Sequence, residues 1–305
     1  MPLCPVCAGE SRPTATYDAG QIRLLLTDEL GEKPPAYLAL SNYEMRECER
    51  CTLVFADPML PGDVLFYEWV ARFPSYHAEA RWEWSVVRRV LEQKKSVQLL
   101  ELGCGEGKFL ASLADLNHVD AMGIDLSDAS VARARALGLN ARRAAINDIL
   151  GGSERFDMIV MTHVLEHVEN PLAVIESCKR LLHHGGEILF SVPYSPTSRE
   201  YLRLDVMNLP PHHLTRWNMA SLRCLAEVSK LKFSYEMRKP KPLLKRVIRH
   251  TLDAANAKDT KGHLHRLALV LSNPRLFMEA IRLHSAREKI DSRRAADEIL
   301  VRLQS

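Results

Sequence analysis

The apolar run Val97-Gln98-Leu99-Leu100-Glu101-Leu102 stops at Gly103-Cys104-Gly105-Glu106-Gly107, and Lys108-Phe109-Leu110 then resumes with helical spacing. No other stretch restricts the fold as much. Glycines let a backbone take left-handed turns and approach a neighbour closely, and the helix behind them leaves its first N–H groups unsatisfied. Strand, glycine turn and helix together open a βαβ unit. The pattern repeats downstream: strands are expected at Ala121–Asp125, Ala141–Ala145, Met158–Thr162 and Glu187–Pro193, with helical segments between them. Such alternation predicts an α/β fold, a doubly wound, mostly parallel sheet covered on both faces. One helix is clearly bounded, with Asn170 as its cap, Pro171 at its first position and Gly185 ending it after His183 and His184.

The loop also restricts its ligand. A dinucleotide fingerprint needs GxGxxG, whereas here the spacing is GxGxG and position 108 is lysine. Glu101, just ahead of the loop, repels a pyrophosphate and suits a ligand carrying an ammonium group. Asp125, ending the next strand, is placed to accept hydrogen bonds from ribose hydroxyls. Asp148, after the third strand, is placed for the exocyclic amine of adenine. These residues describe a nucleoside with a cationic amino-acid tail and no phosphates, and S-adenosylmethionine fits that description. The expected cofactor set is Glu101, Gly103, Cys104, Gly105, Gly107, Asp125, Leu126, Asn147, Asp148, Ile149 and His163.

Four of the seven cysteines form two knuckles, Cys4-Pro5-Val6-Cys7 and Cys48-Glu49-Arg50-Cys51, with 40 residues between them. Each two-residue gap presents both sulfurs to one ion, and two pairs supply the four thiolates of a closed tetrahedral Zn²⁺ site. Four ligands leave no open position, so the expected role is structural. Cys104, Cys178 and Cys224 lack partners at metal spacing and read as packing residues. The intervening residues 8–47 should carry strands of their own. Val64 to about Gln93 has a helical pattern, and a last long helix starts at Asn273-Pro274. The expected organisation is a zinc module over 1–57, a helical connector over 58–95, the α/β domain over 96–240 and a helical extension over 241–305.

Glu101-x-Gly103-x-Gly105-x-Gly107, then Gly123-Ile124-Asp125, then Phe156-Asp157-Met158-Ile159-Val160 with His163-Val164-Leu165-Glu166-His167-Val168, resembles the class I S-adenosylmethionine-dependent methyltransferases over about residues 95–235. The resemblance implies a Rossmann-like domain and methyl transfer from that cofactor. Cys48-x-x-Cys51-x-Leu53-Val54-Phe55-x-x-Pro58 resembles the zinc-module methyltransferases of deoxysugar and surface-polysaccharide pathways. That implies a sugar or nucleotide-sugar acceptor and a module that helps shape its cleft. The antiparallel strand that usually closes such sheets is hard to find; Leu267–Ser272 is the candidate.

Deprotonating a hydroxyl or carbon acid calls for a base titrating near working pH. His213, His212 and His167 are the catalytic candidates. Pro210-Pro211-His212-His213 follows the fifth strand, at the sheet edge where acceptor loops sit, and the family resemblance places its histidine best at His213. His163 and His167, four apart with Glu166 beside them, could present two metal ligands on one helical face, although packing without metal is the favoured reading, since no further carboxylate completes an oxygen-rich site.

Composition excludes several classes. Hydrophobic residues make up 47% and charged residues 26% of the 305, and the net charge is +3, so the chain is neither disordered nor a polyanion binder overall. Residues 230–250 hold eight Lys/Arg against one Glu, read first as a solvated face. No apolar run reaches the ~20 residues of a membrane span, and Met1-Pro2-Leu3-Cys4 lacks the pattern of a secretory signal. The expectation is a cytoplasmic enzyme with a small sugar-like acceptor, no nucleic-acid partner and a homodimer as a permitted assembly. The rival readings are an RNA methyltransferase gripping its substrate with the zinc module, and a non-catalytic zinc-containing interaction protein.

Overall fold

The computed structural model describes residues 2–73, 80–197, 200, 204–238, 243–255, 263–290 and 297–304. It divides into two compact units, Met1–Glu236 with Glu298–Ser305, and Met237–Asp297.

In the first unit, strands β1 (Ser11–Tyr17), β2 (Tyr43–Cys48) and β3 (Val54–Asp57) pair antiparallel around helix α1 (Ala19–Leu30). Asp18 starts α1: its carboxylate accepts from Gln21 N at 2.8 Å, while the Gln21 side chain accepts from Asp18 N at 3.0 Å. The helical pattern from Val64 is broken into α2 (Val64–Val70) and α3 (Trp82–Leu91), and residues 74–79 lie outside those described. The apolar face of α2 is buried with the N-terminal sheet. Phe66 and Trp69 join Ile22, Leu26, Tyr43, Met45 and Leu214 in one core, each large side chain contributing about 1.5–3 kcal/mol by leaving water.

The Rossmann-like part runs β4 (Val97–Leu102), α4 (Lys108–Ala111), β5 (Val119–Asp125), α5 (Asp128–Ala136), β6 (Ala141–Arg143), α6 (Ile146–Ile149), β7 (Phe156–Thr162), α7 (Pro171–Leu181) and β8 (Leu182–Pro193). After these come β9 (Thr215–Arg216), α8 (Met219–Val228) and β10 (Lys232–Met237). β4 pairs in parallel with both β5 and β7, β5 with β6, and β7 with β8. This is the parallel sheet that the alternating pattern predicts. β9 crosses to the N-terminal sheet and pairs with β3, Val54 with Arg216 and Phe55 with Thr215.

Two expectations need correction. Gly185, with φ +78, does not end α7. The helix stops at Leu181 and the chain passes directly into β8, where the register with β7 shifts between Phe156–Leu182 and Met158–Glu187. The closing antiparallel strand is not Leu267–Ser272, whose residues are helical. It is β11 (Glu298–Gln304), paired with β8 from Glu298–Pro193 to Gln304–Glu187. The alternation in Glu298-Ile299-Leu300-Val301-Arg302-Leu303 is masked by three adjacent apolar residues, because both sheet faces are covered there. Among the described residues the sheet order is β10-β11-β8-β7-β4-β5-β6.

The second unit is helical: α9 (Leu243–Ala254), α10 (His263–Ser272) and α11 (Pro274–Ile290). The basic stretch 230–250 spans the end of one unit and the start of the other, and its residues 239–242 lie outside those described. No helix among the described residues is long and apolar enough to cross a membrane.

Candidate functional site

β4 is buried on both faces and delivers Glu101 to the carboxyl edge of the sheet with 3% exposure. One oxygen of that carboxylate, Oε2, has no hydrogen-bond partner among the described residues. Burial, and then the nearby charge of Asp125, push its pKa well above the usual carboxylate value. Gly103, Gly105 and Gly107 all lie in the left-handed region, with φ of +70, +52 and +80. At Gly103 an added Cβ would sit 2.6 Å from Val164 Cγ2, whereas at Gly105 it would meet nothing within 4 Å. The first glycine is therefore a close approach between the loops after β4 and β7, and the second faces open space. Asp125 ties the loop together, accepting from Gly105 N at 2.8 Å and Ser127 N at 2.9 Å. A buried carboxylate with one unpartnered oxygen beside an open glycine fits a ligand with a cationic amine.

The remaining residues of that set are distributed unevenly. Cys104 is buried in the loop, and Leu126 is exposed just past Asp125. Asn147, Asp148 and Ile149 fall on α6. Ile149 is buried, Asn147 Oδ1 accepts from Ser177 Oγ at 3.2 Å, and one Asp148 oxygen accepts from Ala145 N at 2.7 Å.

His163 directly follows β7, with φ +56. Its Nδ1 lies 3.1 Å from Glu166 Oε1 and its Nε2 3.0 Å from Glu83 Oε1. Ser191 Oγ also donates to Glu83 Oε1 at 3.1 Å. Burial alone lowers the His163 pKa, but the hydrogen bonds to Glu166 and Glu83 outweigh it and hold the value up at about 9. Burial raises both carboxylates, yet the His163 hydrogen bond keeps each below its usual value. The result is an imidazolium bridging two buried carboxylates. Glu83 escaped the sequence reading; its only signal is an acid between Trp82 and Trp84 in an amphipathic helix.

A separate cluster joins the turn after β7 to the loop before β9. His167 Nδ1 donates to His212 O at 2.6 Å, His212 Nδ1 to Met207 O at 2.7 Å, and His213 Nδ1 to Asn208 Oδ1 at 2.8 Å. Ring centroids are 4.7 Å apart for His167–His212 and for His167–His213, and 4.4 Å for the stacked His212–His213 pair. Leu209 O accepts from the backbone N–H of both His212 and His213, and Leu214 N donates to Glu166 O at 2.7 Å. Tyr67 of α2 adds its hydroxyl, 3.3 Å from His167 Nδ1. Burial, and then neighbouring ring charge, lower His212 to about 3 and His213 well below the ordinary histidine value. His167 is lowered too, by burial, with Glu166 opposing. The sequence pairing of His163 with His167 is replaced: His163 serves the carboxylates, and His167 faces His212 and His213. Asn208, which fixes the His213 ring, was not among the sequence candidates.

The four N-terminal cysteines converge, with Cys4 Sγ 3.6 Å from Cys51 Sγ and Cys7 Sγ 3.5 Å from Cys48 Sγ. The two knuckles share one shape. Ala8 and Thr52, each following a second cysteine, have φ of +53 and +57 and donate to Cys4 O and Cys48 O at 3.0 and 2.9 Å. Four thiolates around a tetrahedral zinc at ~2.3 Å stand about 3.8 Å apart, so the spacing and the all-sulfur donor set both fit that ion.

Residues 75–230, just over half of the chain, match a protein-family model described as a methyltransferase domain. Over 120 residues the chain is 36% identical to the ubiquinone biosynthesis O-methyltransferase of Glaesserella parasuis, covering 36% of this chain and 50% of that protein. The enzyme of the same description from Cereibacter sphaeroides is 32% identical over 103 residues, 32% of this chain and 41% of its own. The chain thus spans about half the length, or less, of these curated relatives. Among solved structures, a SAM dependent methyltransferase from Archaeoglobus fulgidus aligns with a TM-score of 0.53 at 16% identity, over 80% of this chain and 100% of that one. That likeness is one of fold.

Proposed function

The chain belongs to the methyltransferase-domain family, and from that premise we propose that it moves a methyl group from S-adenosylmethionine to a small hydroxylated acceptor, sugar-like in class. The observation that carries this reading is Glu101, a buried carboxylate with an unpartnered oxygen beside an open glycine. It is suited to the cofactor's ammonium, as Asp125 is to its ribose. S-adenosylmethionine supplies, when bound, a methyl already activated by the sulfonium charge. What the chain's residues contribute is alignment, worth up to roughly 7–11 kcal/mol when the reacting atoms are held in line.

The close approach of Gly103 to Val164 brings the cofactor loop against the segment that leads to His167. We assign the acceptor oxygen to the lone-pair side of His213, whose Nδ1–H is committed to Asn208. His213 Nε2 then receives the acceptor O–H, as a base or as the group that orients it. The relatives from Glaesserella parasuis and Cereibacter sphaeroides are O-methyltransferases, which supports oxygen as the receiving atom. The knuckle module ahead of the domain supports the sugar class, and we assign its four cysteines a structural Zn²⁺.

Transfer of labelled methyl from S-adenosylmethionine into host extract, separated into small-molecule filtrate and retained macromolecules, tests this. Label in the filtrate is expected, water-soluble for a sugar-like acceptor and solvent-extractable for a quinone precursor. Ribonuclease-sensitive label in the retained fraction would replace it with the RNA reading.

A further inference from the structure

We infer that His167, His212 and His213 form a second metal site, separate from the four cysteines, for a divalent ion of the borderline class such as Zn²⁺, Co²⁺ or Fe²⁺. One ring nitrogen from each histidine lies within 4.8 Å of the others. The rings come from two segments far apart in sequence, so a fold-level arrangement brings them together.

The hydrogen bonds around the rings support ligation. In all three, Nδ1 donates to an oxygen: His212 O, Met207 O and Asn208 Oδ1. That fixes one tautomer throughout and leaves Nε2 as the lone-pair nitrogen. Metal-binding histidines are oriented in this way, one ring nitrogen held by a carbonyl or carboxylate and the other given to the ion. Two of these oxygens belong to the main chain, so the orientation is built into the backbone. Asn208, 3% exposed, holds the His213 ring through its side-chain oxygen.

Three nitrogens bound tetrahedrally at ~2.0–2.1 Å stand about 3.3 Å apart, so the rings, which bring one nitrogen each, Nδ1 or Nε2, within 4.8 Å, would draw closer around an ion. Glu166 Oε1 lies 4.0 Å from His213 Nε2, and Glu166 Oε2 is buried without a hydrogen-bond partner among the described residues. A carboxylate at that range offsets part of a dication's charge. Imidazole donors favour transition ions over Mg²⁺ or Ca²⁺. His167 is only partly buried, so a set of three protein ligands can keep a fourth position open, as catalytic sites do.

The site stands on geometry alone, whereas its use rests on the methyl-transfer reading. An ion held by these three histidines would supply Lewis acidity that makes a nearby acceptor hydroxyl easier to deprotonate, its proton passing to solvent. With the ion bound, His213 Nε2 would be a ligand in place of the base or orienting group assigned above.

Metal content of the full chain after equilibration with excess Zn²⁺ and removal of loosely bound ion tests the proposal. Two equivalents per chain are expected, falling to one in His212→Gln and, independently, to one in Cys51→Ser. In Cys51→Ser, Co²⁺ in place of Zn²⁺ should give visible ligand-field bands without the near-ultraviolet charge transfer of thiolates. A single equivalent in the unaltered chain, or two retained in His212→Gln, overturns the site. Should His212→Gln fail to fold, His167→Gln is read in the same way. S-adenosylmethionine binding by calorimetry is run alongside: binding retained while the second equivalent is absent refutes the metal site alone, and binding absent with both ions present refutes the methyl-transfer reading alone.

Discussion

The glycine loop after β4 and the histidine cluster beyond β7 meet at one edge of the sheet but are built from different materials. The loop is backbone. Three left-handed glycines and the hydrogen bonds from Gly103 N and Cys104 N to Ile124 O set its shape, and just ahead of it Glu101 holds one oxygen without a hydrogen-bond partner among the described residues. The cluster is side chain, with three rings fixed by named acceptors and a neighbouring imidazolium clamped between Glu83 and Glu166. The loop therefore keeps an unmet demand for a ligand, while the cluster's rings are oriented by acceptors of the protein itself. Mutations in the loop should separate stability from binding, mutations of the clamp should fall on stability, and mutations of the cluster's rings should fall on chemistry.

The largest stability loss is expected at the clamp. His163→Ala leaves two buried carboxylates without their partner, at a cost of about 3–5 kcal/mol, measurable by urea unfolding at pH 7. A loss under about 1 kcal/mol would mean that the carboxylates are hydrated or neutral. The same residue gives a pH signature. Folded His163 holds its proton up to about 9 and unfolded histidine to about 6.5, so its contribution, about 3 kcal/mol, is complete below pH 6.5 and fades as pH rises to 9. His163→Ala should flatten that decline.

Gly103→Ala comes next. It forces a side chain into a left-handed conformation against Val164, costing about 1–3 kcal/mol, or some 2–4 °C in Tm per kcal/mol. Gly105→Ala, with open space around it, should cost less, and equal losses would break the distinction between a packed and a ligand-facing glycine.

Glu101→Gln should move in the opposite sense. Removing the buried charge stabilises the free protein by about 0.5–2 kcal/mol while weakening S-adenosylmethionine binding at least tenfold, about 1.4 kcal/mol. Because the folded pKa is raised, Glu101 makes the free protein less stable as pH climbs past its unfolded value, and cofactor binding should release a proton. Calorimetry in two buffers of different ionisation enthalpy reads that proton; none released would mean that Glu101 is already ionised.

The smallest stability change, under about 1 kcal/mol, is expected for His213→Gln. There turnover should fall tenfold or more with cofactor affinity unchanged, and unaltered turnover would remove His213 from the chemistry.

What the sequence discloses follows the same division. Glu101, the three glycines and Asp125 fall within a single strand–loop–helix–strand stretch, and local spacing suffices to assemble them. The knuckles repeat one local turn twice, which makes them legible despite the long segment between them. Glu83 lies far from His163 along the chain, on a helix ahead of the sheet, and no pattern in either segment announces the pairing. His212 and His213 stood out as a doublet, but that they face His167 depends on β9 crossing to the N-terminal sheet. β11 was missed because its apolar run, covered on both faces, looks like any short buried segment and lies beyond a stretch of helices.

That last strand has a consequence for how the molecule is made. β11 lies between β8 and β10 in the sheet, yet the whole helical unit Met237–Asp297 is translated before it. At about 5–20 residues per second on the ribosome, roughly 3–12 s separate the emergence of β10 from that of β11. Through that interval the nascent chain holds β8 with an open, apolar hydrogen-bonding edge, the kind of surface that seeds mispairing. Slowing translation within the helical insertion should lengthen the exposure, and chaperone dependence should rise with it.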